Sequence, residues 1–383
     1  MQNYLHFDIK EFIKPHSSES ICGDVIASKK TPEYILIVLT DGISHGLKAN
    51  IYANFINSRL FSLIESGFTF HESVGKIAQS NHENTGKDLP YGAFTAVKIL
   101  NNGKGVALCY ENPIPILITK NSASVLKSHT LSINNVLIME SSFYLSPNEY
   151  ILLCTDGVSQ AGTGFDYTFG WGEKNLSDYI RKHIGNSEKP DFICKEIQHK
   201  VLALNNGKYR DDSTICLISC RKGNILNIIS GPPENRELDH EIINDYLESP
   251  GTHIICGDST AKMIARHLNL PLSIEENPKS LIAPPRYYLE GFKLVTEGAV
   301  TLNQVYNIID EPYENITEDN AVTVLYSMLR NFDKIKFFTG TASNPGHHDI
   351  SFTQKGIVSR HKIIPLIANK LIEFGKLVVI KKY

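Results

Sequence analysis

The sequence predicts an α/β protein in which two β-sheets pack face to face with helices outside, followed by a smaller α/β unit. Three observations carry this expectation. Strand-length apolar runs gather in two groups with paired helical segments between them. Two of those runs end in nearly the same phrase, Val38-Leu39-Thr40-Asp41-Gly42-Ile43-Ser44 and Leu153-Cys154-Thr155-Asp156-Gly157-Val158-Ser159. Past Arg221-Lys222-Gly223-Asn224 the pattern restarts, which divides the chain into units 1–222 and 223–383. A chain of 383 residues is also long for one ordinary domain.

In the first unit, Tyr34 to Leu39 and Tyr150 to Cys154 have the length and β-branched or aromatic content of buried strands. Between them, residues 46–67 place Ile51, Phe55, Leu60, Leu63 and Ile64 at helical spacing, and 72–82 reads as a shorter helix. Strand-like runs follow at 93–100, 106–110, 115–119 and 136–139. Residues 174–185 and 190–204 then read as helices. The second is opened by Pro190-Asp191 and stopped by Asn205-Asn206-Gly207.

The second unit opens with a strand at 225–230, a turn at Gly231-Pro232-Pro233, a helix over 235–247 and a strand at 252–256. Gly257-Asp258-Ser259-Thr260 then starts a helix through Leu268, so the segment reads as a βαβ unit with a parallel sheet. Ser259 or Thr260 suits plain helix capping, and an anion site at that N-terminus is the sharper alternative. Leu294-Val295-Thr296-Glu297-Gly298 echoes the Thr-Asp-Gly phrases only as strand-to-turn junctions share a vocabulary. Gly346-His347-His348-Asp349 reads as a polar loop, with a metal cluster as the alternative.

Composition narrows the function. With 42% hydrophobic and 21% charged residues the chain can build soluble cores. A net charge of −3 argues against a broad nucleic-acid-binding surface. No apolar stretch approaches the roughly 20 residues of a membrane span, and the first residues lack the pattern of a signal peptide. A cytoplasmic location is the default expectation. The seven cysteines have no Cys-x-x-Cys pair, which disfavours a disulfide framework and a structural zinc site. Cys154, two residues before Asp156, is better placed for a core than for a metal.

The chemistry sits at strand tips. An Asp-Gly after a strand is usually a turn. Two near-identical copies, joined by Gly23-Asp24 and by Asp211-Asp212 at the edges of further strand-like runs, are harder to dismiss. Carboxylates converging on a β-scaffold make a site for hard cations such as Mg²⁺ or Mn²⁺.

Gly23-Asp24, Thr40-Asp41-Gly42-Ile43-Ser44-His45-Gly46, Thr155-Asp156-Gly157 and Asp211-Asp212-Ser213-Thr214 resemble, in order and spacing, the metal motifs of the metal-dependent serine/threonine phosphatases, the PPM or protein phosphatase 2C-like family. Glu111-Asn112-Pro113-Ile114-Pro115 is similar to a proline-bearing turn of the bacterial SpoIIE/RsbU branch, and the resemblance spans about residues 15–221. It implies a β-sandwich flanked by helices and hydrolysis of phosphoserine or phosphothreonine with two Mn²⁺ or Mg²⁺ ions and a metal-bridging water. Carried over, Asp41 would bridge the metals, the Gly42 carbonyl would bind one, Asp156 and Asp211 the other, and Asp24 would bind or orient the first. Asp212 would stand back from the metal. The branch also implies a phosphorylated protein substrate, commonly a STAS-domain anti-anti-sigma protein in a partner-switching circuit.

The chain departs from eukaryotic relatives by having Ile43 where they carry a His after Asp-Gly. His45 is the candidate proton donor, with a hydrogen-bonding role at a turn as the plainer reading. Arg210 is a candidate phosphate contact or a solvated loop residue. The competing function is a latent or binding protein on a phosphatase scaffold, controlled by the second unit; four retained carboxylates argue against it, since without metal their repulsion costs stability.

Overall fold

A computed structural model describes residues 4–43, 46–87, 89–185, 189–276, 278, 282–316, 318–342 and 357–383. Contacts divide the chain into two compact units, Leu5–Lys222 and Gly223–Tyr383, with Tyr4 grouped in the second.

The first unit contains β1 (Leu5–Lys14), β2 (Val25–Lys30), β3 (Tyr34–Gly42), α1 (Leu47–Glu65), α2 (Phe70–Asn84), β4 (Gly92–Leu100), β5 (Lys104–Tyr110), β6 (Ile116–Ile118), β7 (Ala123–Val125), β8 (His129–Ile133) and β9 (Val136–Tyr144). β10 (Tyr150–Cys154), α3 (Asp156–Ser159), α4 (Gly172–Gly185), α5 (Pro190–Leu204) and β11 (Ser213–Lys222) complete it. The strands form two antiparallel sheets, ordered β1-β11-β10-β6-β7 and β2-β3-β4-β5-β9-β8.

The apolar runs are continuous because both faces of these strands are covered. Ile35, Ile37 and Leu39 of β3 meet Ile151 and Leu153 of β10 in the core between the sheets. The alternate residues Leu36 and Val38 pack under Ile56 and Leu60 of α1 and Val74 and Ile77 of α2. Leu152 and Cys154 pack under Leu176 and Ile180 of α4 and Ile193 and Ile197 of α5. The result is a four-layer αββα sandwich. Local signals set the helix starts: Thr69 and Glu72 form a reciprocal capping box on α2, and Pro190 occupies the first turn of α5.

The second unit contains β12 (Ile225–Ser230), α6 (Asp239–Glu248), β13 (Thr252–Cys256), α7 (Asp258–Leu268), β14 (Ser273–Ile274), β15 (Arg286–Tyr288), β16 (Leu294–Thr296), α8 (Ala299–Ile308), α9 (Ala321–Asn331), β17 (Lys334–Thr339), α10 (Arg360–Glu373) and β18 (Leu377–Lys382). The sheet order is β14-β15-β16-β13-β12-β17-β18. β16, β13, β12, β17 and β18 are mutually parallel, and β14 and β15 form an antiparallel edge. Leu302, Leu325 and Ile367 from α8, α9 and α10 cover one face, and Ile242 and Ile264 from α6 and α7 cover the other. This is a doubly wound α/β fold whose strand order reverses at β12. No helix among the described residues is long and apolar enough to cross a membrane.

Candidate metal centre

Strand register brings the acidic motifs to one end of the sandwich. β2 and β3 pair Val25 with Thr40, so Asp24, just before β2, lies beside the end of β3 that carries Asp41. In the other sheet β10 and β11 pair Cys154 with Ile215, which sets Thr155-Asp156 beside Asp211-Asp212. One hydroxyl ties the two sheets together. Thr155 Oγ1 donates to Asp24 Oδ2 at 2.8 Å and accepts from the Thr214 N–H at 3.1 Å. The Asp41 carboxyl feels the charges of Asp24, Asp156 and Asp211.

The glycine after each aspartate is there for space. Neither Gly42 nor Gly157 has the positive φ that a turn glycine supplies. A Cβ on Gly42 would stand 2.2 Å from the Ala49 carbonyl oxygen of α1. One on Gly157 would stand 1.9 Å from the Asp212 carbonyl oxygen and 3.3 Å from Asp211 Cβ. The second glycine is therefore what lets the Asp156 turn sit against the Asp211-Asp212 segment.

Burial and crowding raise the affinity of Asp24, Asp41 and Asp211 for protons. Burial, then the charges of Asp24 and Asp156, the hydrogen bond with Asp156 and the charge of Asp211, push Asp41 well above the usual carboxylate range. Asp24 is pushed up to about 7, first by burial and also by Asp212 and Asp211, against the downward pull of bonds from Thr214 and Thr155. Asp211 is raised by burial and by Asp156.

Two oxygens of the cluster are open. Asp24 Oδ1 and Asp156 Oδ1 are buried and have no hydrogen-bond partner. Their sister oxygens are held, Asp24 Oδ2 by Thr155 and Asp156 Oδ2 by Gln160 Nε2 at 3.0 Å. A buried acceptor without a donor costs about 1–3 kcal/mol, more when charged, and a divalent cation satisfies both oxygens and offsets the mutual repulsion. The donor set fits hard divalent metal.

Asp212 is different. Its Oδ1 accepts from the His16 N–H and its Oδ2 from the Gly23 N–H, both at 2.8 Å. It pins the segment that presents Asp24. Cys22, Asp24 and Asp212 also offer three ligand atoms within 4.8 Å of one another. With both Asp212 oxygens engaged, and the half-buried Cys22 thiol raised by burial above its usual range, that trio is a structural clasp.

The remaining sequence candidates separate. Arg210 stacks its guanidinium on Phe165, 4.2 Å from the ring centre. Cys154 is buried in the core under α4 and α5. Asn112 Nδ2 donates to Thr95 Oγ1 at 2.9 Å, beside Glu111 with a φ of +52°. His45 lies outside the described residues, as does Gly346-His347-His348-Asp349. Thr155, Gln160 and the pinning role of Asp212 escaped the sequence reading, although Thr155 belongs to the repeated phrase itself.

Two antiparallel sheets between helix pairs, with carboxylates converging at one end, agree with the PP2C-like fold that the sequence motifs lead one to expect. Residues 31–221 match the family described as Stage II sporulation protein E (SpoIIE), and the first unit of this chain belongs to it. Solved structures similar to the chain include the RsbU and RsbW domains of Rv1364c from Mycobacterium tuberculosis, at 16% identity over 64% of this chain and 69% of that one, with a TM-score of 0.47. The phosphatase domain of the cell fate determinant SpoIIE from Bacillus subtilis aligns at 13% identity over 57% and 94%, with a TM-score of 0.44. The SiaA-PP2C domain of Pseudomonas aeruginosa aligns at 17% identity over 55% and 85%, with a TM-score of 0.43. No curated protein sequence matches the chain.

Proposed function

We propose that the first unit hydrolyses phosphoserine or phosphothreonine on a protein substrate, using two Mn²⁺ or Mg²⁺ ions. Asp24, Asp41, Asp156, Asp211 and the Gly42 carbonyl would hold the metal. The observation that carries this reading is the pair of buried, unpartnered oxygens, Asp24 Oδ1 and Asp156 Oδ1, within a cluster of four aspartates. Bound divalent metal would lower the pKa of a coordinated water toward neutrality and offset the charge of the phosphoryl group.

The chain's own residues supply the rest. Thr155 fixes the orientation of Asp24, Gln160 that of Asp156, and Asp212 holds the segment carrying Asp24 in place. The Cys22 thiol, kept protonated by burial, is unsuited to act as a nucleophile. Arg210, turned onto Phe165, leaves phosphate binding to the cation-loaded cluster. The substrate we assign is a phosphorylated STAS-type anti-anti-sigma protein, and the setting a partner-switching circuit.

Hydrolysis of a phosphoserine peptide with Mn²⁺ and with EDTA tests the reading. Turnover that requires Mn²⁺ is expected. A chain that binds Mn²⁺ yet leaves phosphoserine and phosphothreonine peptides intact would overturn it.

A further inference from the structure

The second unit holds a site of its own, built where its parallel strands end. Gly231 follows β12, Gly257 follows β13, Glu297-Gly298 follows β16 and Gly340 follows β17. These glycines let the loops close on one another. A Cβ on Gly340 would fall 2.0 Å from the Pro232 carbonyl oxygen, and Gly257, at a φ of +136°, holds a backbone that disfavours side chains. The Gly231 N–H donates to Thr260 Oγ1 at 2.7 Å, clasping the β12 and β13 loops. A crevice of about 200 Å³ remains, lined by Ser230, Gly257, Ser259, Glu297, Gly298 and Arg360 among others. It lies outside the carboxyl ends of the strands, where doubly wound folds bind ligands.

Its polar groups are arranged for a ligand. Ser230 is fully buried, lines the crevice, and its Oγ has no partner. Arg360 Nη2 donates to the Gly340 and Ala342 carbonyls at 2.9 and 2.8 Å, while its buried Nε has no partner. α7, 11 residues long, has no side chain capping its N-terminus, whereas Glu297 Oε2 already accepts from the Val300 N–H of α8 at 2.9 Å. The open donors are therefore Ser230 Oγ and Arg360 Nε, beside the N-terminus of α7 where the Ser259 hydroxyl already donates to Asp258 at 3.3 Å, and such donors suit an anion. Asp258 and Glu297 stand along the same crevice as acceptors for hydroxyl groups. A second groove, of about 570 Å³, shares Pro232, Ser259 and Ala342 with the crevice and adds Arg236 and Arg266. Together they have room for a small metabolite.

We propose that this crevice binds a hydroxyl-bearing organic phosphate, a nucleotide or a sugar phosphate. Its phosphate would meet Ser230, Arg360 and the α7 N-terminus, and its hydroxyls Asp258 and Glu297. The test is calorimetric titration of the full chain in EDTA, which keeps phosphate from the metal centre, with ATP, AMP, ribose 5-phosphate, adenosine and inorganic phosphate. At least one phosphate ester should bind one-to-one, and adenosine should not. Arg360→Gln should weaken that binding about tenfold or more, as loss of a charged hydrogen bond does. Ser230→Ala, a smaller change that leaves the fold least disturbed, should weaken it in the same direction. AMP binding tighter than ribose 5-phosphate would mark a nucleotide, and equal binding a sugar phosphate. Silence with every ester, inorganic phosphate binding as tightly as the esters, or binding unchanged in both variants would overturn the proposal.

Discussion

The two Thr-Asp-Gly copies begin alike in sequence and end differently in structure. In the first, Thr40, Asp41 and Gly42 stay in β3, with Asp41 opposite Ala93 and Gly42 opposite Gly92 of β4. In the second, the strand stops at Cys154 and Asp156 enters the single turn of α3. The threonines diverge as well. Thr40 Oγ1 donates to Asn57 Oδ1 at 2.6 Å, fastening β3 to α1 within one half of the sandwich. Thr155 Oγ1 reaches Asp24, just before β2 of the other sheet. One copy builds its own layer pair, and the other joins the two halves of the acidic cluster. A repeated phrase thus specifies a repeated position, a carboxylate at a strand tip, while its surroundings decide the role.

Removing either carboxylate is the largest perturbation. Asp41→Ala and Asp156→Ala should each lower Mn²⁺-dependent hydrolysis by more than the 10–100-fold typical of outer partners of a metal site, read as initial rates at saturating metal.

Next come the glycines. Gly42→Ala and Gly157→Ala each drive a methyl into a carbonyl oxygen, at 2.2 and 1.9 Å. Each should cost about 1–3 kcal/mol or more, the range for overpacking, measured by chemical denaturation. Gly157→Ala should also weaken Mn²⁺ binding, because it displaces Asp156 from Asp211.

The threonines separate structure from function. Thr155→Val should lower metal affinity about 10–100-fold, whereas Thr40→Val should cost about 1 kcal/mol of stability and leave metal affinity nearly unchanged. Equal effects on metal binding would refute the division of labour between the copies.

A further effect is on pH. Burial, with the charges of Asp212 and Asp211, pushes Asp24 up to about 7 in the folded, metal-free chain, against about 4 when unfolded. Between those values the folded state holds a proton that the unfolded state has released, so stability falls as pH rises from about 4 to 7. Asp24→Asn should flatten that part of the slope, by about 2–4 °C in Tm for each kcal/mol recovered. Thermal unfolding at pH 5 and pH 7 in EDTA reads it.

Much of this was legible in the chain. β3 and β10 stand out because both faces of each are buried, which makes their apolar runs continuous. The edge strands were harder. β1 alternates apolar with charged residues such as Asp8 and Lys10 and lacks a continuous apolar run, and the short β7 and β8, each at one edge of its sheet, carry too few residues for a pattern. The acidic motifs announced a site, but its wiring did not. The bond from Thr155 to Asp24 spans 131 positions, and that from Gly23 to Asp212 spans 189. Such pairings follow from how two sheets face each other, which no local pattern encodes. The glycines after Asp41 and Asp156 read as flexible turn residues, yet they serve close backbone approach.

The central claim is that both copies contribute to one metal centre. Calorimetric titration of the full chain with Mn²⁺, compared with Asp41→Asn and Asp156→Asn, tests it most directly. The account predicts that each substitution alone weakens or abolishes Mn²⁺ binding. Wild-type binding retained in either variant would show that its copy is only a turn, and would contradict the account.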